Sequence, residues 1–458
     1  MEEKEYYPLS SAQKRLYLLY QSDKSNTAYN MPAVFNLEGQ LKKERLAEIF
    51  NQLMRRHESF RTSFAQVKGE PVQRIHREVD FEIEYYDLAA KNAKEREEGR
   101  GAPLWSPFIR PFDLSKAPLL RVGLIETGEE EHILVFDMHH IISDGVSMGI
   151  LVREFMTLYA GKPLPLPQVQ YKDYAQWQCS GAWQESLKAA EVFWLEQFRA
   201  PGGRPQLKLP ADFDRPIVRN FAGATLEFEL GNRETAALKQ AAIEEETTLY
   251  MVLLALYFVL LARLSGQEDI TVGTPVVGRQ REELQYTIGM FVNTLALRNF
   301  PKVEYPFRNF LKEVKEKTLK ALKYQDYPFE KLVEKAAPNL DNSRNPLFDV
   351  MFTLQNLDIP ALHIPGLALK PYPHESVTAK FDLNLIGIEK NEALLFTLEY
   401  SSKLFKSDTI GRFSGYFKDI ITAILENRDI KLGDIEMSLA LSESKSALSR
   451  EAEGNFEF

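Results

Sequence analysis

The chain has 458 residues, 44% of them hydrophobic and 26% charged, and a net charge of −9 at pH 7. This is an ordinary globular balance, enough for two to four domains or two large lobes at roughly 100–200 residues per domain. The charge is spread without a basic block, which argues against nucleic acid as a partner. The single cysteine, Cys179, excludes an internal disulfide framework and suits a reducing cytoplasm. The opening MEEKEYY is acidic and lacks the apolar stretch of a signal peptide.

In chain order, Ser11–Tyr20 reads as a short helix capped by Ser10 or Ser11. Leu41–Arg56 carries Leu46, Ile49, Phe50, Leu53 and Met54 at helical spacing. Ile133–Met138 is an apolar run that reads as a buried strand, and GVSMGILVREFMTLY (145–159) as the helix after it. GKPLPLPQVQY (161–171) is a proline-rich connection, followed by a Trp- and Phe-rich helix over Ala182–Phe198. RAPGGRPQLKLPADFDRP (199–216) is a second loop, and the lobe crossover is expected between the two loops.

Thr225–Leu230 alternates as a strand, and helices are expected near Glu234–Glu244 and Thr248–Leu264. The apolar run Leu249–Ala262 is too short for an ordinary membrane span and reads as a core helix. Strands follow at Ile270–Val277 and Phe348–Gln355. Phe381–Ile388 and Ala393–Tyr400 flank a turn at 389–392, a hairpin signal. A helix over about Ser407–Glu426 comes last, and the tail after Ser438 reads as linker. Strands and helices mix throughout, so the fold class is α/β or α+β with two lobes.

The segment His139-His140-Ile141-Ile142-Ser143-Asp144-Gly145 is the chemical candidate. Two histidines at a strand end and an Asp-Gly before a helix suit acyl transfer. Gly145 can turn the backbone and offer an N–H to a reacting carbonyl. Neighbouring strand residues point to opposite faces, so one histidine faces the reaction and the other packs behind it. The same geometry speaks against a metal, and no other histidine has ligand spacing. One rival overlaps: Gly145-Val146-Ser147-Met148-Gly149 matches GxSxG, which would make Ser147 a hydrolase nucleophile. A hydrolase of that kind needs a late histidine, and only His363 and His374 qualify.

Several segments, in order, resemble the motifs of condensation domains of nonribosomal peptide synthetases. They are SSAQKRLYLL (10–19), RHESFRTSF (56–64), MHHIISDGVS (138–147), YKDYAQW (171–177), IGMFVNTLALR (288–298), YQDYPFE (324–330) and SRNPLFDVMF (343–352), with PFDLSKAPLLR (111–121) as a further likeness. The resemblance implies two chloramphenicol-acetyltransferase-like lobes forming a V with a central tunnel: 1–175 with HHxxxDG, 176–438, and a linker at 439–458. It implies peptide-bond formation between an acyl or peptidyl thioester on an upstream donor carrier protein and an aminoacyl thioester on a downstream acceptor carrier. The 4'-phosphopantetheine arms belong to those carriers, so no intrinsic cofactor or metal is expected. A neighbouring adenylation domain is a further implied partner, and neither nucleic acid nor membrane is.

By the motif match, His140 is the functional histidine, as base or as positioning group, and the Gly145 N–H a plausible oxyanion donor. His139 is the packing partner. Asp144 could be an orienting carboxylate for His140, but the resemblance implies instead a structural pair with an arginine of the other lobe, best matched by Arg279. Arg56, His57 and Arg61 read as a structural network, Asn293 and Thr294 as lying near the tunnel floor, and Cys179 as an inert packed thiol. SSAQKRLY with MHHIISDGVS looks most like domains joining an L-configured donor to an L-configured acceptor. An epimerisation domain or a non-catalytic carrier-docking domain on the same scaffold are the alternatives.

Overall fold

A computed structural model describes residues 5–87, 105–128, 130–199, 206–337, 341–355, 362–364, 367–372 and 378–437. In chain order, strand β1 (Tyr6–Pro8) leads to helix α1 (Ser11–Ser22). Ser10 caps α1 in a full capping box with Gln13. Strand β2 (Asn30–Gly39) and helix α2 (Lys43–Arg56) follow, then β3 (Thr62–Val67), β4 (Glu70–Ile75), β5 (Glu84–Asp87), β6 (Leu120–Glu126) and β7 (Glu131–His139). Helix α3 (Gly145–Tyr159) comes next, then α4 (Tyr171–Gln178), α5 (Gly181–Ser186) and α6 (Lys188–Gln197). The single helix expected over Ala182–Phe198 is thus two, interrupted at Leu187, whose side chain is buried.

The second half runs β8 (Gly223–Leu230), α7 (Asn232–Glu244), α8 (Leu249–Ser265), β9 (Ile270–Val276) and β10 (Asn293–Asn299). Then come α9 (Phe307–Lys323), α10 (Phe329–Ala336), β11 (Val350–Gln355), β12 (Leu362–Ile364) and β13 (Leu367–Pro371), and last β14 (Leu383–Lys390), β15 (Ala393–Ser401) and α11 (Ser407–Glu426). The expected linker after Ser438 lies outside the described residues.

The chain divides into two compact units. The first comprises residues 1–189, 277–293 and 359–374; the second comprises 190–276, 294–358 and 375–458. In the first, β1-β4-β3 form a small sheet and β12-β13-β2-β7-β6-β5 a larger one. The late strand β13 joins because it pairs antiparallel with β2, Leu367 opposite Gly39 and Pro371 opposite Phe35. Helix α2 buries its apolar stripe on this sheet, and Phe50 stacks on Phe155 of α3 at 5.5 Å between centroids.

In the second unit the sheet order is β10-β9-β11-β14-β15-β8. Its central helix α8 is apolar all round and buried without a break from Met251 to Leu261, which accounts for the long apolar run. Among the described residues no single helix is long and apolar enough to cross a membrane.

Candidate active site

The HHxxxDG segment begins where β7 ends. The backbone N–H of His139 donates to Leu119 O at 3.0 Å and that of His140 to Tyr29 O at 2.8 Å, so the neighbouring chain segments fix both residues. Strand alternation carries only as far as His139. His140 opens a 3-10 turn, His140–Ile142, and leaves the strand face altogether. His139 is 5% exposed, whereas His140 is half-buried.

The backbone also sets the ring tautomers. His140 Nδ1 lies 2.9 Å from Ser143 O, which only accepts, so Nδ1 carries the proton and Nε2 is the ring's acceptor when neutral. His139 is the reverse: its Nδ1 accepts from Ile141 N at 3.1 Å, which puts the proton on Nε2. His139 therefore caps the turn that carries His140.

Asp144 is the N-cap of α3 and accepts the Ser147 N–H at 2.8 Å on Oδ1. Its backbone is extended, φ −141°, as is usual at an N-cap, and Gly145 has no left-handed φ, so the entry into the helix does not draw on glycine's extra conformational freedom. Gly145 is the exposed first residue of the helix, where N–H groups lack intrahelical partners and the helix dipole favours negative charge.

The other Asp144 oxygen holds residues that come much later in the chain. Arg279 Nη1 donates to Oδ2 at 2.6 Å and Phe291 N at 3.0 Å. Both ion-pair side chains are buried, at 2% and 0% exposure. The pair lies inside the first compact unit, because residues 277–293 fold with that unit rather than with the second one. Gly278, at φ +68°, sets up Arg279; a Cβ there would stand 2.0 Å from Phe291 O. The Arg279 guanidinium also stacks 4.1 Å from the Phe291 ring centroid.

Ser147 is fully buried. Its Oγ donates to Gly289 O at 3.0 Å and accepts from Gly289 N at 3.0 Å and Arg279 Nη2 at 2.8 Å. A hydroxyl engaged in this way clamps a backbone: its hydrogen-bond partners among the described residues are the Gly289 amide and the Arg279 guanidinium, neither of them a base, so the geometry gives the GxSxG match no nucleophile. Sequence reasoning missed that clamp and its companions. Ser59 Oγ donates to Ile288 O at 2.6 Å, and Tyr171 Oη donates to Met290 O at 2.5 Å while meeting Ser10 Oγ at 2.7 Å. Three motifs remote in sequence thus converge on residues 288–291 through backbone groups, and a fourth reaches them only through the Ser10–Tyr171 bond.

Arg56 Nε donates to both Glu154 oxygens at 3.1 Å, and His57 Nε2 donates to Oε2 at 2.5 Å. Glu154, on α3, was not foreseen. Arg61 donates to Met54 O at 2.9 Å and closes the end of α2. Asn293 and Thr294 open β10, both half-buried. Cys179 is exposed rather than packed, because it is the C-cap of α4, where the side chain leaves the helix. Among the described residues no group of three or more His, Cys, Asp or Glu could hold a metal ion.

The family model for the condensation domain matches residues 3–448. The chain belongs to the condensation domain family. It is 47% identical over 435 residues to gramicidin S synthase 2 of Brevibacillus brevis, covering 94% of this chain and 10% of that protein. It is 46% identical over 433 residues to tyrocidine synthase 3 of Brevibacillus parabrevis, covering 94% and 6%. This condensation domain therefore spans a small fraction of those synthetases. A crystal structure of holo-AB3403, a four-domain nonribosomal peptide synthetase bound to AMP and glycine, superposes with a TM-score of 0.84 at 23% identity, covering 95% of this chain and 34% of that one. The fold is the mixed α/β fold of condensation domains, and condensation domains of nonribosomal peptide synthetases catalyse amide-bond formation.

Proposed function

We propose that this domain joins a donor acyl or peptidyl group, held as a thioester on an upstream carrier protein, to the α-amine of an aminoacyl thioester on a downstream carrier. Both thioesters hang on 4'-phosphopantetheine arms that belong to the carriers. An adjacent adenylation domain and a cytoplasmic setting go with this reading, the latter suited by the single free cysteine.

The observation that carries it is the His140 imidazole, fixed by Ser143 O with Nε2 as acceptor, beside the first N–H groups of α3. The amine nitrogen attacks the thioester carbonyl, and Nε2 takes one N–H proton as the C–N bond forms. The Gly145 N–H stabilises the oxyanion, the C–S bond breaks, and the proton passes to the leaving thiolate. A free α-amine titrates near about 7.7–8.0, so part of it is already neutral and His140 also serves by orienting it. Asp144 and Arg279 shape the site and take no proton. The motifs at 10–19 and 138–147 favour an L-configured donor and acceptor.

The test supplies two loaded carriers and follows the acceptor by intact mass. A dipeptidyl thioester that depends on domain and donor is expected, and it should form more slowly with a D-configured donor. Absence of product from a folded domain, with both carriers loaded, would favour a docking role. Enzyme-dependent α-deuterium uptake in heavy water by one loaded carrier alone would favour epimerisation.

A further inference from the structure

Asp137 is fully buried on β7, two residues before His139 and on the same face of the strand. Its Oδ2 accepts from Asn30 Nδ2 at 2.8 Å and from Arg121 Nη1 at 3.2 Å, across from it on β6. Arg121 reaches further than this one carboxylate. Nη1 donates to Arg110 O at 2.6 Å and Nη2 to Pro111 O at 2.7 Å, and the guanidinium lies 3.7 Å from the Phe112 ring centroid. Phe112 in turn meets the His139 ring edge-on, at 6.1 Å and 88°. His139 caps the turn that holds His140.

We propose that Arg121, seated by Asp137, is a positioning residue for His140: it holds residues 110–112 so that Phe112 fixes His139, and His139 fixes the catalytic turn. This rests on the reading that His140 acts in amide formation. A lysine cannot replace the fork, because three acceptors in different directions and a ring face are engaged at once. The charged groups around Asp137 are Arg121, Arg110 and, through Arg110, Glu84; His139 lies along the same face. Burial pushes the Asp137 carboxyl up to about 7, against the pull of Arg121. The grip on Arg121 therefore tightens as the carboxyl ionises through neutral pH.

The experiment measures dipeptidyl transfer from loaded carriers by wild type, Arg121→Lys, Asp137→Asn and His140→Ala. In parallel, the imidazole ¹⁵N signals are followed with pH, His140→Gln assigning the signal. Arg121→Lys should lower kcat about tenfold or more, as expected for a misplaced catalytic group, with KM for both carriers nearly unchanged. Its His140 signal should shift from the Nδ1–H tautomer toward an average. Asp137→Asn should lose one ionisation near neutrality from the kcat profile. Should Arg121→Lys fail to fold, Phe112→Leu tests the same link through the ring.

Unchanged kcat in these variants, or lowered activity with the His140 tautomer and pH profile intact, would overturn the positioning role. Normal turnover by His140→Ala would instead sink the catalytic reading, and the ¹⁵N shifts would still report on the link.

Discussion

His139 and His140 are adjacent in the chain and held in opposite tautomers by backbone partners. The first accepts at Nδ1 and stabilises a turn; the second donates at Nδ1 and turns an accepting Nε2 outward from its own backbone. Their different roles thus follow from the point where β7 gives way to the 3-10 turn.

His140→Ala should lose about 10²–10⁴-fold in kcat, the usual share of a positioned acid–base group, with an unchanged melting temperature. His139→Ala should lower the melting temperature, because it removes a cap and opens a cavity in a buried place. Thermal melts and single-turnover rates on both variants check the pair. Equal damage to both by both measures would contradict the division.

The buried Asp144–Arg279 pair predicts a coupling. Removing one partner strands the other and should cost about 3–5 kcal/mol. Asp144→Ala also strips the cap of α3, and Arg279→Ala its hold on Thr287 O at 3.0 Å. The double variant should be more stable than the sum of the singles implies, by denaturant titration of all four proteins. Asp144→Asn should do less harm than Asp144→Ala. Single variants that melt like wild type but are inactive would point instead to a direct chemical role.

Gly289 predicts a steric effect. A Cβ there would stand 1.9 Å from Tyr171 Cδ2, so Gly289→Ala must displace either the ring or residues 288–291. A loss of about 1–3 kcal/mol is expected from overpacking. Combining it with Tyr171→Ala should relieve part of that loss, as chemical denaturation would read.

Asp137 predicts a pH signature in stability. Its folded carboxyl is raised to about 7 by burial, above its ordinary value of 3.8. Between those values the folded state binds more protons than the unfolded one, so this group's contribution is fully present below about pH 3.8 and is lost as pH rises through about 7. The stability of wild type relative to Asp137→Asn should therefore fall as pH rises from 4 to about 7. A difference that stays level or rises over that interval, in melts taken at each pH, would contradict the assignment.

Elements whose information is local could be read directly. The capping box at Ser10, the apolar stripe of α2, the strand into HHxxxDG and the continuous apolar run of α8 all declare themselves within a few residues. The clamp on residues 288–291 does not. Ser59, Ser147 and Tyr171 bind backbone groups of Ile288, Gly289 and Met290, and those groups carry no side-chain signature. Glu154 was missed because a charged residue inside an apolar helix looks like a solvent position until His57 and Arg56 are found beside it. Strand β13 was missed for another reason: its partner β2 lies more than 300 residues earlier, and no local pattern reports that distance.

That pairing bears on how the chain is made. Strand β2 leaves the ribosome more than 300 residues ahead of its outer neighbour Leu367–Pro371, which emerges last among the strands of that sheet. At about 5–20 residues per second, the delay is on the order of tens of seconds. Throughout that time β2 offers a row of unsatisfied N–H and C=O groups to any passing strand. A nascent or truncated chain ending before residue 359 would keep that edge open, making self-association the characteristic hazard of unfinished molecules.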